Sequence, residues 1–167
     1  VIQQKITGIT NKNLHVFAVN DAYRYSGNQN LSVKNAGINP LNGSVINYWF
    51  KTVDDSSKVS IEILDKNKKS IKIFSSQAKE KEDKIEVNKG MNQFVWNMMY
   101  PAAEKIDGQI IWHGNVPGPK AAPGNYYFKI KADKDSAEGN FLIKANPVYN
   151  ITQQEYEDQF NILITIR

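Results

Sequence analysis

The residues able to do chemistry are thinly spread along these 167 residues. A hydrolase needs a pair of carboxylates set for acid and base work, or a nucleophile beside a base. The sequence offers the neighbours Asp54 and Asp55 in a turn, Glu62 on the outward side of a strand, and two histidines, His15 and His113. They do not combine into a catalytic motif: neither a G-x-S-x-G elbow nor an H-E-x-x-H helix occurs. No cysteine is present, which removes disulfides, thiolate zinc sites and cysteine nucleophiles together. Asp133, Asp135 and Glu138 have the alternating look of a calcium loop. Ala137 stands where a further oxygen is needed and Lys134 opposes a divalent ion, so a polar hairpin turn is the better reading. We therefore expect no catalytic residue, no metal and no cofactor.

The aromatic residues are the stronger lead. Trp49 and Tyr127 fall on the sides of their strands opposite the apolar stripes, and Trp112 lies in a long loop beside His113. Flat rings flanked by Asn and Gln suit sugar binding, because a ring stacks on the apolar face of a pyranose. The same three rings suit packing under long loops or against a neighbouring domain. Trp49, Trp112 and Tyr127 are thus candidate ligand-binding residues, with packing as the competing role.

Alternation is what must position them. Residues 44–52 put Ile46, Tyr48 and Phe50 on one face and Asn47, Trp49 and Lys51 on the other. Residues 58–64 repeat the pattern with Val59, Ile61 and Ile63. After an Asp/Asn-rich turn, 70–74 returns with Ile71 and Ile73, a hairpin signature. Further strands are expected at 14–19, 90–97 with Phe94 and Trp96, 125–131 with Tyr126, Phe128 and Ile130, and 141–145 after a turn over 133–139. Residues 26–43, 77–84 and 101–123 read as loops. Many short strands between turn signals predict an all-β fold, a β-sandwich of immunoglobulin or fibronectin-III-like type. One helix is expected at the end, where Thr152 and Glu155 form a capping box ahead of an apolar stripe of Tyr156, Phe160, Leu163 and Ile164. The expected division is a linker over 1–13, the sandwich over 14–150 and a C-terminal helix over 151–167.

Composition narrows the partners. Hydrophobic residues make up 41% and charged residues 23%, an ordinary globular balance, and no apolar run approaches the roughly 20 residues of a membrane span. The net charge of +4 is scattered, with Lys79 to Lys84 mixing both signs, and the two arginines, Arg24 and Arg167, lie far apart. A nucleic-acid binder concentrates such charge on one face, so nucleic acid is not expected. The helix ends in a β-branched apolar run through Ile166 with no C-cap, and the chain starts at Val1. Both features predict that the natural chain extends further. The apolar faces of the helix predict docking or self-association.

Certain segments resemble a known family. His15-Val-Phe-Ala-Val-Asn-Asp-Ala-Tyr-Arg-Tyr25, Asn39-Pro-Leu-Asn-Gly-Ser-Val-Ile-Asn-Tyr48, Gly90-Met-Asn-Gln-Phe-Val-Trp96 and Pro123-Gly-Asn-Tyr126 follow in the order seen in bacterial sortilin-like β-propeller proteins, often labelled glycosyl-hydrolase-like. Asn146-Pro147 stands where that family has Asp-Pro. The Gly-x-Asn-x-x-x-Trp and Pro-Gly-x-Tyr pair is also similar to the immunoglobulin-like domain of flagellar hook-capping proteins. The resemblance implies a secreted or periplasmic bacterial protein and a non-catalytic C-terminal accessory module, whose partner is an upstream propeller of the same polypeptide. A carbohydrate-binding module of a polysaccharide-processing protein is the alternative.

Overall fold

A computed structural model describes residues 12–25, 41–54, 56–103, 108 and 117–166. They form mostly β-strands in two sheets, with one C-terminal helix. The strands are β1 (Leu14–Val16), β2 (Ala22–Tyr23), β3 (Ser44–Phe50), β4 (Val59–Leu64), β5 (Ser70–Ser75), β6 (Gly90–Trp96), β7 (Gly124–Ala132) and β8 (Asp135–Lys144), and the helix is α1 (Gln153–Thr165). One sheet has the order β1-β3-β6, the other β2-β8-β7-β4-β5. Pairing is antiparallel except between β2 and β8.

Alternation decides which side chains turn inward. Eleven of the residues expected from the stripes are buried: Ile46, Tyr48 and Phe50; Val59, Ile61 and Ile63; Phe94 and Trp96; Tyr126, Phe128 and Ile130. The two inner faces meet through aromatic rings. Trp96 lies 5.5 Å from Tyr126 and 5.9 Å from Phe141 of the opposite sheet, and Phe74 lies 4.8 Å from Phe94. The indole N–H of Trp96 is not orphaned by burial, since it donates to the Met99 carbonyl at 3.3 Å. Gly139 fits beneath Phe128 because it has no Cβ, which would sit 2.5 Å from that ring.

Several expectations are corrected. Ile73 does not share the inward face with Ile71; it is 54% exposed. Between Ile63 and Leu64 the partner jumps from Lys72 to Ser70, so Ile71 is an extra residue in β5. That bulge reverses the alternation, and Phe74 turns inward in place of Ile73. The turn expected over 133–139 shrinks to Asp133 and Lys134, because Asp133 adopts a positive φ of 50° and β8 begins at Asp135. The strand expected over 14–19 ends at Val16, after which the chain crosses to the other sheet and adds β2 beside β8. Asn13, placed at the end of the linker, is built into the fold: its Oδ1 accepts from the Thr52 N–H at 2.9 Å, and its Nδ2 donates to Asp135 at 3.0 Å. The rest of the expected linker, residues 1–11, lies outside the described residues. Within the 77–84 loop, residues 81–83 form one 3-10 turn, and the 101–123 excursion closes on itself where the Ala121 N–H donates to the Met98 carbonyl at 2.7 Å.

The helix begins as its capping box dictates. Glu155 N–H donates to the Thr152 hydroxyl at 3.3 Å, and the Thr152 N–H donates back to the Glu155 carboxylate at 2.7 Å. The Thr152 N–H and the Thr152 hydroxyl, both donating to that carboxylate, hold it below its ordinary range. Tyr156 is buried, with the Arg24 guanidinium 4.9 Å from its ring centroid, and Phe160 packs on Tyr100 at 4.7 Å. The apolar stripe then parts from the sheets. Ile164 is half-buried, while Leu163, Ile162 and Ile166 are exposed, the last at 74%. Among the described residues, no helix is long and apolar enough to cross a membrane.

Candidate functional site

The outer face of the three-stranded sheet is built around Trp49. β3 is the central strand, so Trp49 has a neighbour on each side: His15 of β1 and Met91 of β6. Two residues back along β3, the Asn47 side-chain carbonyl accepts from Gln93 Nε2 at 3.1 Å, and Val45 stands opposite Val95 beyond it. The His15 ring meets Phe17 edge-on at 4.8 Å. Trp49 is half-buried and Met91 is 47% exposed. The strand pairing therefore sets aromatic, thioether and amide side chains, and no charged one, directly across from Trp49 and Asn47, while the exposed Lys51 follows Trp49 on the same face just beyond β3. Such a surface can stack on or pack against an apolar partner.

Tyr127 lies on the outer face of the other sheet. It stands between Leu64 and Asn140, with the Lys68 ammonium 5.5 Å from its ring centroid. Two residues on, Lys129 lies between Glu62 and Glu138 and pairs with Glu138 at 2.5 Å. That pair raises the Lys129 ammonium and lowers the Glu138 carboxyl from their ordinary values. Trp49 and Tyr127 thus face away from one another across both sheets, and one small ligand cannot engage both. Trp112 and its neighbour His113 lie outside the described residues.

The carboxylates considered for chemistry have separate structural tasks. Asp54 accepts from the Ser56 hydroxyl at 2.6 Å and backbone N–H at 2.9 Å, which holds its carboxyl low; Asp55 is outside the described residues. Asp133 accepts from the Lys58 N–H at 3.1 Å, tying the β7–β8 hairpin to the start of β4. Asp135 accepts from Asn13 and Glu138 from Lys129, so the three members of the calcium-like string go to three different partners.

Two clefts also open among the described residues, and neither follows from the sequence pattern. One, of about 500 Å³, opens between the outer strands β5 and β6, with Phe74 and Phe94 inside and Lys72, Glu82 and Lys84 among its polar lining. The other, of about 430 Å³, lies between α1, the β4–β5 turn and the start of β7. Tyr100, Tyr126 and Phe160 line it together with Asp65, Asn67 and Asn125. These residues are far apart in the chain, so no local spacing announces them. Tyr126 had been read only as core, and Asp65 only as a turn residue. Compared with known proteins, the sequence matches no family model and no curated protein.

Proposed function

We propose that this chain is a non-catalytic accessory module, an immunoglobulin-like β-sandwich of a secreted or periplasmic bacterial protein, that docks onto another domain of its own polypeptide. The sandwich type rests on strand order. Reading β1 with β2 as a split strand A, then β3 to β8 as B, C, C′, E, F and G, the sheets have the immunoglobulin orders A-B-E and A′-G-F-C-C′. Tyr126 supports it further. Near the start of β7, its hydroxyl donates back to the Ala122 carbonyl at 2.9 Å, the arrangement of a tyrosine corner at the start of strand F. The Pro123-Gly-x-Tyr126 motif is then the corner itself.

The observation that carries the docking reading is the outer face around Trp49, whose cross-strand neighbours carry no charge, in contrast to the charge-laced outer face of the other sheet. The resemblance to sortilin-like proteins supplies the partner: an upstream β-propeller. Hydroxyl-radical footprinting tests this by comparing the isolated chain with the longer polypeptide that the reading requires. Trp49 and Met91 are expected to be oxidised readily in the isolated chain and protected in the longer one. Equal oxidation in both would overturn the docking reading. Glycoside, ester or peptide turnover by the purified chain, lost on changing one Asp, Glu or His, would overturn the non-catalytic one.

A further inference from the structure

We infer that the cleft between α1, the β4–β5 turn and the start of β7 is a binding site for a neutral pyranose unit of a glycan. The site is separate from the Trp49 face and does not rest on the docking reading. Its volume, about 430 Å³, falls in the roughly 300–1,000 Å³ range of small-molecule sites.

Its lining combines what a pyranose needs. The rings of Tyr100 and Phe160, 4.7 Å apart and tilted at 59°, offer apolar surface for the C–H face of a sugar. Asn67, Asn125 and Asn161 reach the cleft from the β4–β5 turn, β7 and α1, and all three are exposed. Each carboxamide carries both donors and an acceptor, which matches vicinal hydroxyls that both give and take a proton.

The tyrosines add a fixed polar floor. Tyr126 spends its one proton on the Ala122 carbonyl, so it offers a neighbouring hydroxyl only its lone pairs. Tyr100, which also lines the cleft, adds a second phenol. Burial first, and the negative charge of Asp65 second, push Tyr100 up to about 12, so this floor stays neutral at any physiological pH.

Charge sets the ligand class. Lys66 lies 3.7 Å from Glu157, whose carboxylate also accepts from Gln153 at 3.0 Å, so these two charges answer one another. Asp65 uses its Oδ1 to hold the turn, accepting from the Asn67 and Lys69 N–H groups at 2.8 Å each. Its negative charge is therefore the surplus in the cleft, which opposes sulfate, phosphate and uronate and favours an uncharged polyol. The far wall is firm, because Gln153 Nε2 donates to the Pro123 carbonyl at 2.9 Å and anchors the first turn of α1 over the start of β7.

Titration of the whole chain with neutral methyl pyranosides and short neutral oligosaccharides, followed by NMR of the Asn side-chain amides, tests the site. Saturable shifts are expected at Asn67, Asn125 and Asn161, with binding about tenfold weaker in the double variant Asn125→Ala/Asn161→Ala. Both substitutions are at exposed positions, and an unchanged backbone spectrum confirms the fold. Trp49→Ala should bind as the parent does, which separates this site from the docking face. Three results would overturn the inference: no shift with any of these sugars at about 50 mM, binding of undiminished affinity in the double variant, or a glucuronide that binds as well as the corresponding glucoside.

Discussion

The two sheets turn very different outer faces to their surroundings, although one alternation rule shapes both. Around Trp49 the cross-strand neighbours are His15 and Met91, with Asn47 and Gln93 joined by an amide hydrogen bond. Around Tyr127 the face carries Lys68, Lys129, Glu62 and Glu138. Alternation tells which side chains point out. Register tells what they meet, and it is register that makes one face a candidate contact surface and the other a solvated one.

The largest expected effect lies beneath both faces. Trp96 joins the sheets through Tyr126 and Phe141, so Trp96→Ala should cost about 3–5 kcal/mol, read from urea unfolding. If the faces share one interior, they unfold together in a single transition. Separate transitions for the two sheets would break the comparison at its base.

An alkaline titration of Tyr48→Phe against the parent probes the interior under the Trp49 face. Burial pushes the Tyr48 hydroxyl from 10.0 to about 12. Between those values the unfolded chain has lost the proton and the folded chain keeps it, so stability is intact below pH 10 and falls as pH rises toward 12. The loss from this one residue is on the order of 2–3 kcal/mol by pH 12. Tyr48→Phe should show a shallower alkaline decline than the parent; an equal decline would mean that Tyr48 titrates as if exposed.

The smallest effects compare the faces directly. Glu138→Gln breaks the exposed pair with Lys129, and the resulting small destabilisation should fade as salt is added. Trp49→Gln should change stability by an amount that salt leaves untouched. Urea midpoints at low and high ionic strength separate the two, and a salt-dependent Trp49→Gln would show that charge acts at Trp49 itself.

Much of the fold was legible because inward residues recur at period two, as Ile46, Tyr48 and Phe50 do. What escaped were features without a period. The bulge at Ile71 depends on how β5 meets β4, and a one-residue excess is invisible until both strands are paired. β2 has only two residues, too few for any pattern, and it exists because β8 offers an edge. Tyr127 was correctly read as facing outward, but nothing local showed that it and Trp49 lie on opposite faces. The cleft was hidden for a different reason: Asp65, Tyr100, Asn125 and Phe160 come together only when α1 docks.

The strand that switches sheets also sets a schedule for the nascent chain. β2 needs β8, and Arg24 donates to Gln159, 135 residues further on. At about 5–20 residues per second, the ribosome takes on the order of ten seconds to supply that partner. Until then the segment from Leu14 to Arg24 can complete only its β1 half, against β3, and pairings so distant in sequence are slow to close in any case. This segment is therefore made before β8 and α1 yet settles only with them, and during synthesis it is a stretch that a chaperone has long to hold.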